Sequence, residues 1–456
     1  MSTDFRPLDG VRIIEFSSSI AGPAATMILA QLGADVIKVE SPQGDDGRAW
    51  PPHVGDRSIV FRQMNVGKRG MVIDLKQAEG LEVALALTDS ASVVLQTMIP
   101  GVADRIGIGA AAVRARNPEA IYFDMNAFGT GPIGRVMPGY DPMVQAFTGI
   151  MAMTGHDDAP PTRCAPSLID IGTGQWIAMG VLAAVLAKQR GQPVQTLETA
   201  MVDTGFNVVS YQATSALISG ERPPRAGSGN SIAAPYQCFT ASDGDLLLAA
   251  PNEKLWRLVV RALDAPALLE DSRFNNAVSR SEHREALAQA LNEIFAQAAV
   301  DDWLTRLTAV GVPATRVFGL EQAVVSDIAN ERQTFADSEG VPLVRLPWLV
   351  DGKPVPWSSP APTLGQHTCE LLTEIGFSEA RIAALLNSGA VKGGESMDCQ
   401  VRANGVPRNN QSKTDGAAAC GQQGARKENT LYLTAEQRRW RCAAAAQSLS
   451  ATRFVD

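Results

Sequence analysis

Asp170 is the residue whose surroundings most suggest chemistry. It lies in the segment SLIDIGTG, residues 167–174, where Gly172 and Gly174 follow it and a long Ala- and Leu-rich segment begins. An Asp at the start of a helix commonly caps the free N–H groups of the first turn. It can also be a nucleophile, because a carboxylate needs placement and support for a developing oxyanion more than it needs a base. The local sequence leaves both roles open.

The elements around Asp170 must place it at one end of a helix. Residues 175–190 (QWIAMGVLAAVLAKQR) predict a strong helix, whose terminal Lys188 and Arg190 suit the negative end of the helix dipole. The positive potential at the other end would keep a carboxylate at position 170 ionised.

The N-terminal region has the pattern of a βαβ unit. Residues 11–16 (VRIIEF) and 35–40 (DVIKVE) predict buried strands, and Pro23 suits the first turn of the helix between them. Strand and helix patterns continue to alternate over residues 71–150. The sequence therefore predicts an α/β fold with a parallel sheet and a ligand crevice at the strand ends. No GxGxxG motif follows the first strand, which disfavours a nicotinamide dehydrogenase.

Composition narrows the class of protein further. The chain has 456 residues, a net charge of −8 and 45% hydrophobic residues, which predicts a globular protein that does not bind nucleic acid. Its four His are widely spaced and its six Cys form no CxxC pair, which argues against a metal site or a disulfide framework. The pattern fits a reducing, cytoplasmic compartment. We find no signal peptide and no uninterrupted apolar run of about 18 residues, so no membrane span is expected.

Changes in composition suggest domain boundaries. Residues 1–220 are predicted to form a large α/β domain. After the turn-rich passage 219–235, residues 221–335 are predicted to form a smaller α+β domain that begins with a hairpin around Asp243-Gly244. Residues 336–391 are predicted to return to the large domain, and the polar residues 392–456 are predicted to be a disordered tail.

Several segments together resemble the class III CoA-transferases, the family of formyl-CoA transferase and carnitine CoA-transferase. They include PLDGVRIIEFSSSIAGPAATMILAQLGADVIKVESP, NVGKRGMVIDLK, NPEAIYFDMNAFGTGP, GYDPMVQAFTGIMAMTG and LIDIGTGQWIAMGVLAAVLAKQRG. The likeness extends over residues 7–391 and leaves out the tail. It implies a Rossmann-like CoA-binding domain with a smaller inserted domain, in an interlocked homodimer.

The resemblance also implies a reaction. A CoA-transferase moves CoA from an acyl-CoA to a free carboxylic acid, with CoA thioesters as substrates and no permanently bound cofactor. The residue at the position of Asp170 would attack the thioester, forming an aspartyl anhydride and then an aspartyl-CoA thioester. Gly172 and Gly174 would leave room for the thioester and expose backbone N–H groups.

The same resemblance implies contacts with CoA. Arg105 would meet a phosphate, and Thr97-Met98 departs from the family pattern at the CoA site. Lys68 and Arg69 are plausible phosphate partners, although a basic turn explains them equally well. The residues expected to contact CoA are Ile20, Ala21, Ile73, Asp74, Leu75, Lys76, Thr97, Met98 and Arg105.

Tyr140 helps to distinguish a transferase from the alternative functions. The related α-methylacyl-CoA racemases have a His-Asp pair where this chain has Tyr140-Asp141, and the pKa near 10 of an unassisted Tyr suits proton exchange poorly. We expect Tyr140 to be a core aromatic residue lining the acyl pocket. A racemase and a non-catalytic CoA-binding protein remain the alternatives to a transferase. The loop at residues 225–230 resembles one that covers the active site in some relatives, and His156 is expected on a surface loop.

Overall fold

The computed structural model describes residues 5–230, 232–356 and 359–394, and sixteen strands lie within these ranges. In chain order they are β1 Arg12–Phe16, β2 Asp35–Glu40, β3 His53–Val54, β4 Arg57–Ser58, β5 Arg69–Ile73, β6 Val93–Gln96, β7 Ile121–Asn126, β8 Thr196–Ala200, β9 Tyr236–Ala241, β10 Gly244–Ala249, β11 Ala314–Arg316, β12 Phe335–Ser338, β13 Val341–Val344, β14 Leu349–Val350, β15 Lys353–Pro354 and β16 Val391–Lys392.

Nineteen α-helices lie in the same ranges, together with two 3-10 helices, Asp46–Ala49 and Gly134–Val136. The α-helices are α1 Ala21–Gln31, α2 Ile59–Asn65, α3 Ala78–Thr88, α4 Val102–Ile106, α5 Ala110–Arg116, α6 Asp141–Phe147, α7 Ile150–Met153, α8 Leu168–Gln189, α9 Met201–Val208, α10 Ser210–Ser219, α11 Glu253–Ala262, α12 Ala267–Glu270, α13 Ala277–Glu282, α14 Arg284–Phe295, α15 Val300–Ala309, α16 Leu320–Ala323, α17 Asp327–Glu331, α18 Thr368–Glu374 and α19 Glu379–Ser388.

The main sheet has seven strands in the order β16-β5-β2-β1-β6-β7-β8. Its strands pair in parallel except for β16, which runs antiparallel to β5. The chain passes from β1 outward through β2 to β5 and then returns to place β6 on the other side of β1. Strand order therefore reverses between β1 and β6, where open α/β sheets bind ligands at the carboxyl ends of the strands. The predicted α/β class and parallel sheet are confirmed.

Alternating side chains of the strands fill two hydrophobic cores, one on each face of this sheet. Ile13 and Phe123 belong to the first core, which α1 and α8 cover, whereas Ile14 and Tyr122 belong to the second core. The helices α3, α18 and α19 cover the second core. Both faces of the sheet are covered, and its edge at the carboxyl ends of the strands is left for a ligand.

A third hydrophobic core lies between the three-stranded sheet β11-β10-β9 and helices that include α11, α14 and α15. Trp256 and Phe295 are fully buried within it. The strands β9 and β10 pair antiparallel, which confirms the hairpin predicted around Asp243-Gly244. The division of residues 1–391 into domains stays a prediction, and the predicted tail lies, from residue 395 on, outside the described residues.

Helix α8 begins earlier than the sequence predicts. The predicted start was residue 175, whereas the helix begins at Leu168 and includes both glycines after Asp170. Within the described ranges it is also the one helix that by length and composition could cross a membrane. A core helix passes the same test, and α8 buries Ile169, Ile177 and Val181 in the first hydrophobic core.

Two cysteines of the described ranges, Cys164 and Cys238, carry free thiols. The expected absence of a disulfide framework stays a prediction.

Candidate active site

A cavity of about 520 Å³ opens where four parallel strands end. Its walls come from the residues that close or follow β1, β2, β5 and β6, on both sides of the point where strand order reverses. Six of the predicted CoA contacts line this cavity: Ile73, Asp74, Leu75, Lys76, Thr97 and Met98. The structure thus brings together residues that lie far apart in the sequence.

The other predicted CoA contacts lie outside this cavity wall. Ile20 precedes α1 as its N-terminal flanking residue, and Ala21 is the buried first residue of that helix. The loop before them contributes Ser17 and Ser18 to the cavity. Arg105 is exposed on the short helix α4 and is not among the lining residues.

The cavity wall has one cation that is free to meet a ligand. Among the lining residues, Lys76 alone is positively charged, and its side chain is exposed. Two carboxylates of the wall already have partners, because Glu40 pairs with Arg48 at 2.7 Å and Asp45 pairs with Lys38 at 2.8 Å. The anionic groups of a ligand here would therefore meet Lys76.

Lys68 and Arg69 are not phosphate partners in this structure. Lys68 is fully buried, and its ammonium group lies 2.9 Å from the carboxylate of Glu15. Arg69 pairs with Asp35 at 2.6 Å and with Glu374 at 2.7 Å. Both cations are therefore already neutralised, which the basic turn in the sequence did not indicate.

Asp170 is the third residue of α8, and its side chain is half-buried. Residues four apart lie on the same face of a helix. Asp170 and Gly174 therefore share one face of α8, and the contacts of Gly174 show what this face packs against. A Cβ atom at Gly174 would lie 2.9 Å from the carbonyl oxygen of Ala21 and 2.9 Å from Cβ of Ala24. Asp170 therefore lies one turn before Gly174, on the face of α8 that packs against the start of α1.

The residue that caps α8 is Asp141, the first residue of α6. Its Oδ2 accepts hydrogen bonds from the backbone N–H groups of Ile169 at 2.7 Å and of Asp170 at 3.1 Å. Its Oδ1 accepts a hydrogen bond from the buried side chain of Gln145, whose amide oxygen in turn accepts one from the backbone of Cys164 at 2.9 Å. Asp170 is thus not the cap of its own helix, and the alternative role left open by the sequence is wrong.

Burial, with a further contribution from the charge of Asp141, raises the pKa of Asp170 to about 7. The carboxyl is therefore poised between its two protonation states at neutral pH. Burial and the charge of Asp141 therefore outweigh the expected stabilisation of the ionised form by the helix terminus.

The two glycines after Asp170 do not have the roles that the sequence predicts for them. Both lie inside α8, so their N–H groups belong to the helix rather than to a substrate. Gly174 is buried at the contact with α1 and leaves no room for a thioester. Gly172 is half-buried near Thr204 and lines a second cavity of about 430 Å³, on the side of α8 that faces α9.

Tyr140 is not a core residue in the described chain. It immediately precedes α6 with extended backbone and is 67% exposed. The importance of this segment lies instead in its neighbour Asp141, which is 3% exposed. A carboxylate at the first helical position, directly before a proline, was the signal in the sequence that could have identified this residue.

The loop at residues 225–230 is attached to the segment that carries His156. Ala226 forms a β-bridge with His156, and the N–H of Gly227 donates to the carbonyl oxygen of Gly155 at 3.0 Å. Arg225 donates to the carbonyl oxygen of Ala152 at 2.9 Å. His156 is exposed, as predicted.

Comparisons with known proteins agree with this architecture. The model of CoA-transferase family III matches residues 8–368. A succinate–glutarate CoA-transferase of Agrobacterium fabrum is 32% identical over an alignment of 383 residues, and the alignment covers 81% of this chain and 96% of that protein. An acetyl-CoA:oxalate CoA-transferase of Acetobacter aceti is 31% identical over 82% of this chain and 97% of that protein.

Solved structures show the same relationship. The crystal structure of a CAIB/BAIF family protein from Brucella suis is similar, with a TM-score of 0.74 and 32% sequence identity. The match covers 82% of this chain and 100% of the Brucella protein. The structure of Rv3272 from Mycobacterium tuberculosis in its orthorhombic form is similar with a TM-score of 0.73 and 29% identity, covering 80% of this chain and 99% of that one.

Proposed function

The chain belongs to CoA-transferase family III, and from this we propose that Asp170 is the nucleophile that transfers CoA from an acyl-CoA thioester to a free carboxylic acid. One observation carries the proposal. Asp170 lies on the face of α8 that packs against the start of α1, and α1 directly follows the loop whose Ser17 and Ser18 line the 520 Å³ cavity.

The first half-reaction loads CoA onto the protein. The Asp170 carboxylate attacks the thioester carbonyl, the C–S bond breaks, and the CoA thiolate leaves behind a mixed anhydride. The thiolate then attacks the Asp170 carbonyl of this anhydride. The donor acid departs as a carboxylate, and Asp170 carries CoA as a thioester.

The second half-reaction reverses these steps with a new acid. The acceptor carboxylate attacks the aspartyl thioester, which releases the thiolate and forms a second anhydride. Attack of the thiolate on the acceptor carbonyl gives the new acyl-CoA and restores the Asp170 carboxylate. No oxidation or reduction occurs, and no cofactor is consumed.

The residues around Asp170 and the cavity supply what these reaction steps need. The residues Ile73, Asp74, Leu75, Lys76, Thr97 and Met98 would bind CoA in the cavity, with Ile20, Ala21 and Arg105 along the rest of the molecule. Helix α1 begins without a side-chain cap, so its first N–H groups would support negative charge that develops near Asp170. Tyr140 would lie towards the acyl group, whereas Gly172 lies on another face of α8, towards α9.

The acceptors are proposed to be short dicarboxylic acids. The relatives described above are named for succinate, glutarate and oxalate, and an intramolecular transfer between two carboxyl groups would use the same chemistry. The family resemblance further supports a homodimer with a smaller inserted domain, and the scattered cysteines support a cytoplasmic location. The exposed apolar side chains of α8, Trp176, Met179 and Leu186, would be covered by the second subunit.

Intact-protein mass spectrometry tests this function. We would incubate the protein with succinyl-CoA, glutaryl-CoA, oxalyl-CoA and acetyl-CoA, and trap adducts with hydroxylamine or borohydride. We expect a CoA or acyl mass on the wild type that Asp170→Asn never acquires. CoA binding without any adduct would contradict covalent transfer, and deuterium exchange at the α-carbon of a 2-methylacyl-CoA would then identify a racemase.

A further inference from the structure

A cluster of four buried charged groups contacts the loop that follows β1. Glu15, Lys38 and Lys68 are fully buried, and the carboxylate of Asp45 is almost completely so. Lys38 lies 3.3 Å from Glu15 and 2.8 Å from Asp45, and Lys68 lies 2.9 Å from Glu15. Two cations thus face two anions.

The ion pairs keep Lys38 and Glu15 charged, whereas burial lowers the pKa of Lys68 to about 8. Burial alone would lower the pKa of Lys38, but the carboxylates of Glu15 and Asp45 outweigh it and raise that pKa above its usual value. Burial alone would raise the pKa of Glu15, but Lys38 and Lys68 lower it to about 2. Replacing such a buried pair by apolar residues is often neutral or stabilising. Stability therefore gives no sufficient reason for a charged cluster at this place.

What the cluster holds is the loop from Ser17 to Ser19. Lys38 donates to the carbonyl oxygen of Ser17 at 2.9 Å, and Asp45 accepts from the backbone N–H of Ser19 at 3.1 Å. Ser19 has a φ of +70°, in the left-handed region that a non-glycine residue rarely adopts. The pair Lys38 and Asp45 therefore fixes the loop at both of its ends and stabilises its strained residue.

The loop connects the two halves of the proposed site. Ser17 lines the cavity, and the chain continues through Ile20 into α1, whose first turn packs against α8 at Gly174. We propose that Lys38 and Asp45 are positioning residues for CoA transfer, which set this loop so that a thioester held in the cavity reaches Asp170. This inference rests on the proposed function.

Lys68 provides the matched control. It is as buried as Lys38 and also pairs with Glu15. Its other bonds go to the carbonyl oxygen of Pro23 at 3.0 Å, in the first turn of α1, and to Asn65 at 2.8 Å. Lys38→Met and Lys68→Met each remove a buried amino group that pairs with Glu15, but only Lys38→Met also removes a bond to the loop at Ser17, so a difference in activity between them reports on the loop.

The experiment measures the single-turnover rate of Asp170 adduct formation, the CoA affinity by calorimetry, and the melting temperature for each variant. We expect similar losses of melting temperature for Lys38→Met and Lys68→Met, but an adduct rate about 10- to 100-fold lower for Lys38→Met, as for a displaced reacting group. Equal adduct rates in the two folded variants would overturn the inference.

A rescue keeps the test decisive if Lys38→Met does not fold. Asp45→Ala removes the acceptor that holds Ser19, and we expect a similar fall in the adduct rate. Because glycine adopts positive φ without strain, adding Ser19→Gly should recover about tenfold in rate without restoring the melting temperature. Failure of Ser19→Gly to recover any rate would also overturn the inference. An absent adduct on the wild type would instead refute the proposed function.

Discussion

The backbone N–H of Asp170 donates a hydrogen bond to the carboxylate of Asp141 at 3.1 Å. One acid thus fixes the start of the helix that carries the other, and the two negative groups are held near each other. Since burial and the charge of Asp141 raise the pKa of Asp170, the same contact both orients the proposed nucleophile and controls its ionisation.

The activity should therefore rise with pH through neutrality. Asp170 must be ionised to attack, and its pKa is about 7. We expect kcat/KM for an acyl-CoA to increase from pH 5 to pH 8 with a midpoint at about 7. Initial rates at subsaturating acyl-CoA measure this profile. A flat profile over that range would show that ionisation of Asp170 does not control the reaction.

Asp141→Asn should move that midpoint to lower pH. The amide oxygen of Asn can still accept the N–H groups of Ile169 and Asp170, whereas the negative charge that raises the pKa of Asp170 is lost. The same pH profile measures the shift. Asp157→Asn, which removes an equal charge from an exposed loop, is the control and should leave the midpoint in place.

Asp170→Asn should abolish activity and yet stabilise the protein above neutral pH. The pKa of Asp170 rises from 3.8 to about 7 on folding, so the native state binds the proton more tightly. This contribution to stability is complete below pH 3.8 and is lost as the pH rises through 7. The free energy of unfolding of the variant, relative to that of the wild type, should therefore increase by up to about 4 kcal/mol from pH 4 to pH 8.

Melting temperatures of wild type and Asp170→Asn from pH 4 to pH 8 check this prediction. The difference should grow in favour of the variant as the pH increases, while kcat falls by about 10³-fold or more at every pH. A difference that is independent of pH would contradict the raised pKa.

Gly174→Ala should weaken both the fold and the reaction. The added Cβ would meet backbone and Cβ atoms of α1 at 2.9 Å, so α8 must move away from α1 and Asp170 must move with it. We expect a loss of about 1 to 3 kcal/mol in stability, together with a lower kcat. Melting curves and initial rates measure both.

Gly172→Ala is the comparison for that variant. Its Cβ would approach one methyl group of Thr204 at 3.0 Å, and alanine favours the helix by about 1 kcal/mol. We therefore expect little net change in stability. Equal destabilisation by the two substitutions would show that the contact of Gly174 with α1 is not special.

Lys76→Ala should weaken CoA binding by about tenfold, which corresponds to about 1.4 kcal/mol. Lys76 is the single cation among the residues that line the cavity. Calorimetric titration with CoA measures the affinity, and the loss should shrink at high salt. Lys254→Ala, which removes an exposed charge from α11, should leave the affinity unchanged.

Local patterns in the sequence correctly predicted individual strands and turns. The predicted strand at residues 35–40 coincides with β2, and the hairpin of β9 and β10 forms where an Asp-Gly turn predicted it. These signals succeed because β-branched runs and turn residues act through their nearest neighbours.

Sequence reasoning missed features that depend on distant neighbours. The sequence predicted a helix only from residue 175, yet α8 begins at Leu168 and runs through both glycines, because close packing against α1 favours glycine at position 174. Asp141 caps α8 from 28 residues away, and Lys68 is buried by contacts with β1 and α1 that a basic turn does not reveal. In each case tertiary packing decided the outcome.

The last described strand has a consequence for how this protein is made. The strand β16 pairs with β5 at the edge of the sheet, where Val391 is the partner of Ile73 and the N–H of Asp74 donates to the carbonyl oxygen of Ala390. Ile73 and Asp74 line the cavity. A nascent chain still shorter than this strand would leave that edge of β5 unpaired, so we expect this wall of the proposed CoA site to be completed only after Lys392 has been synthesised.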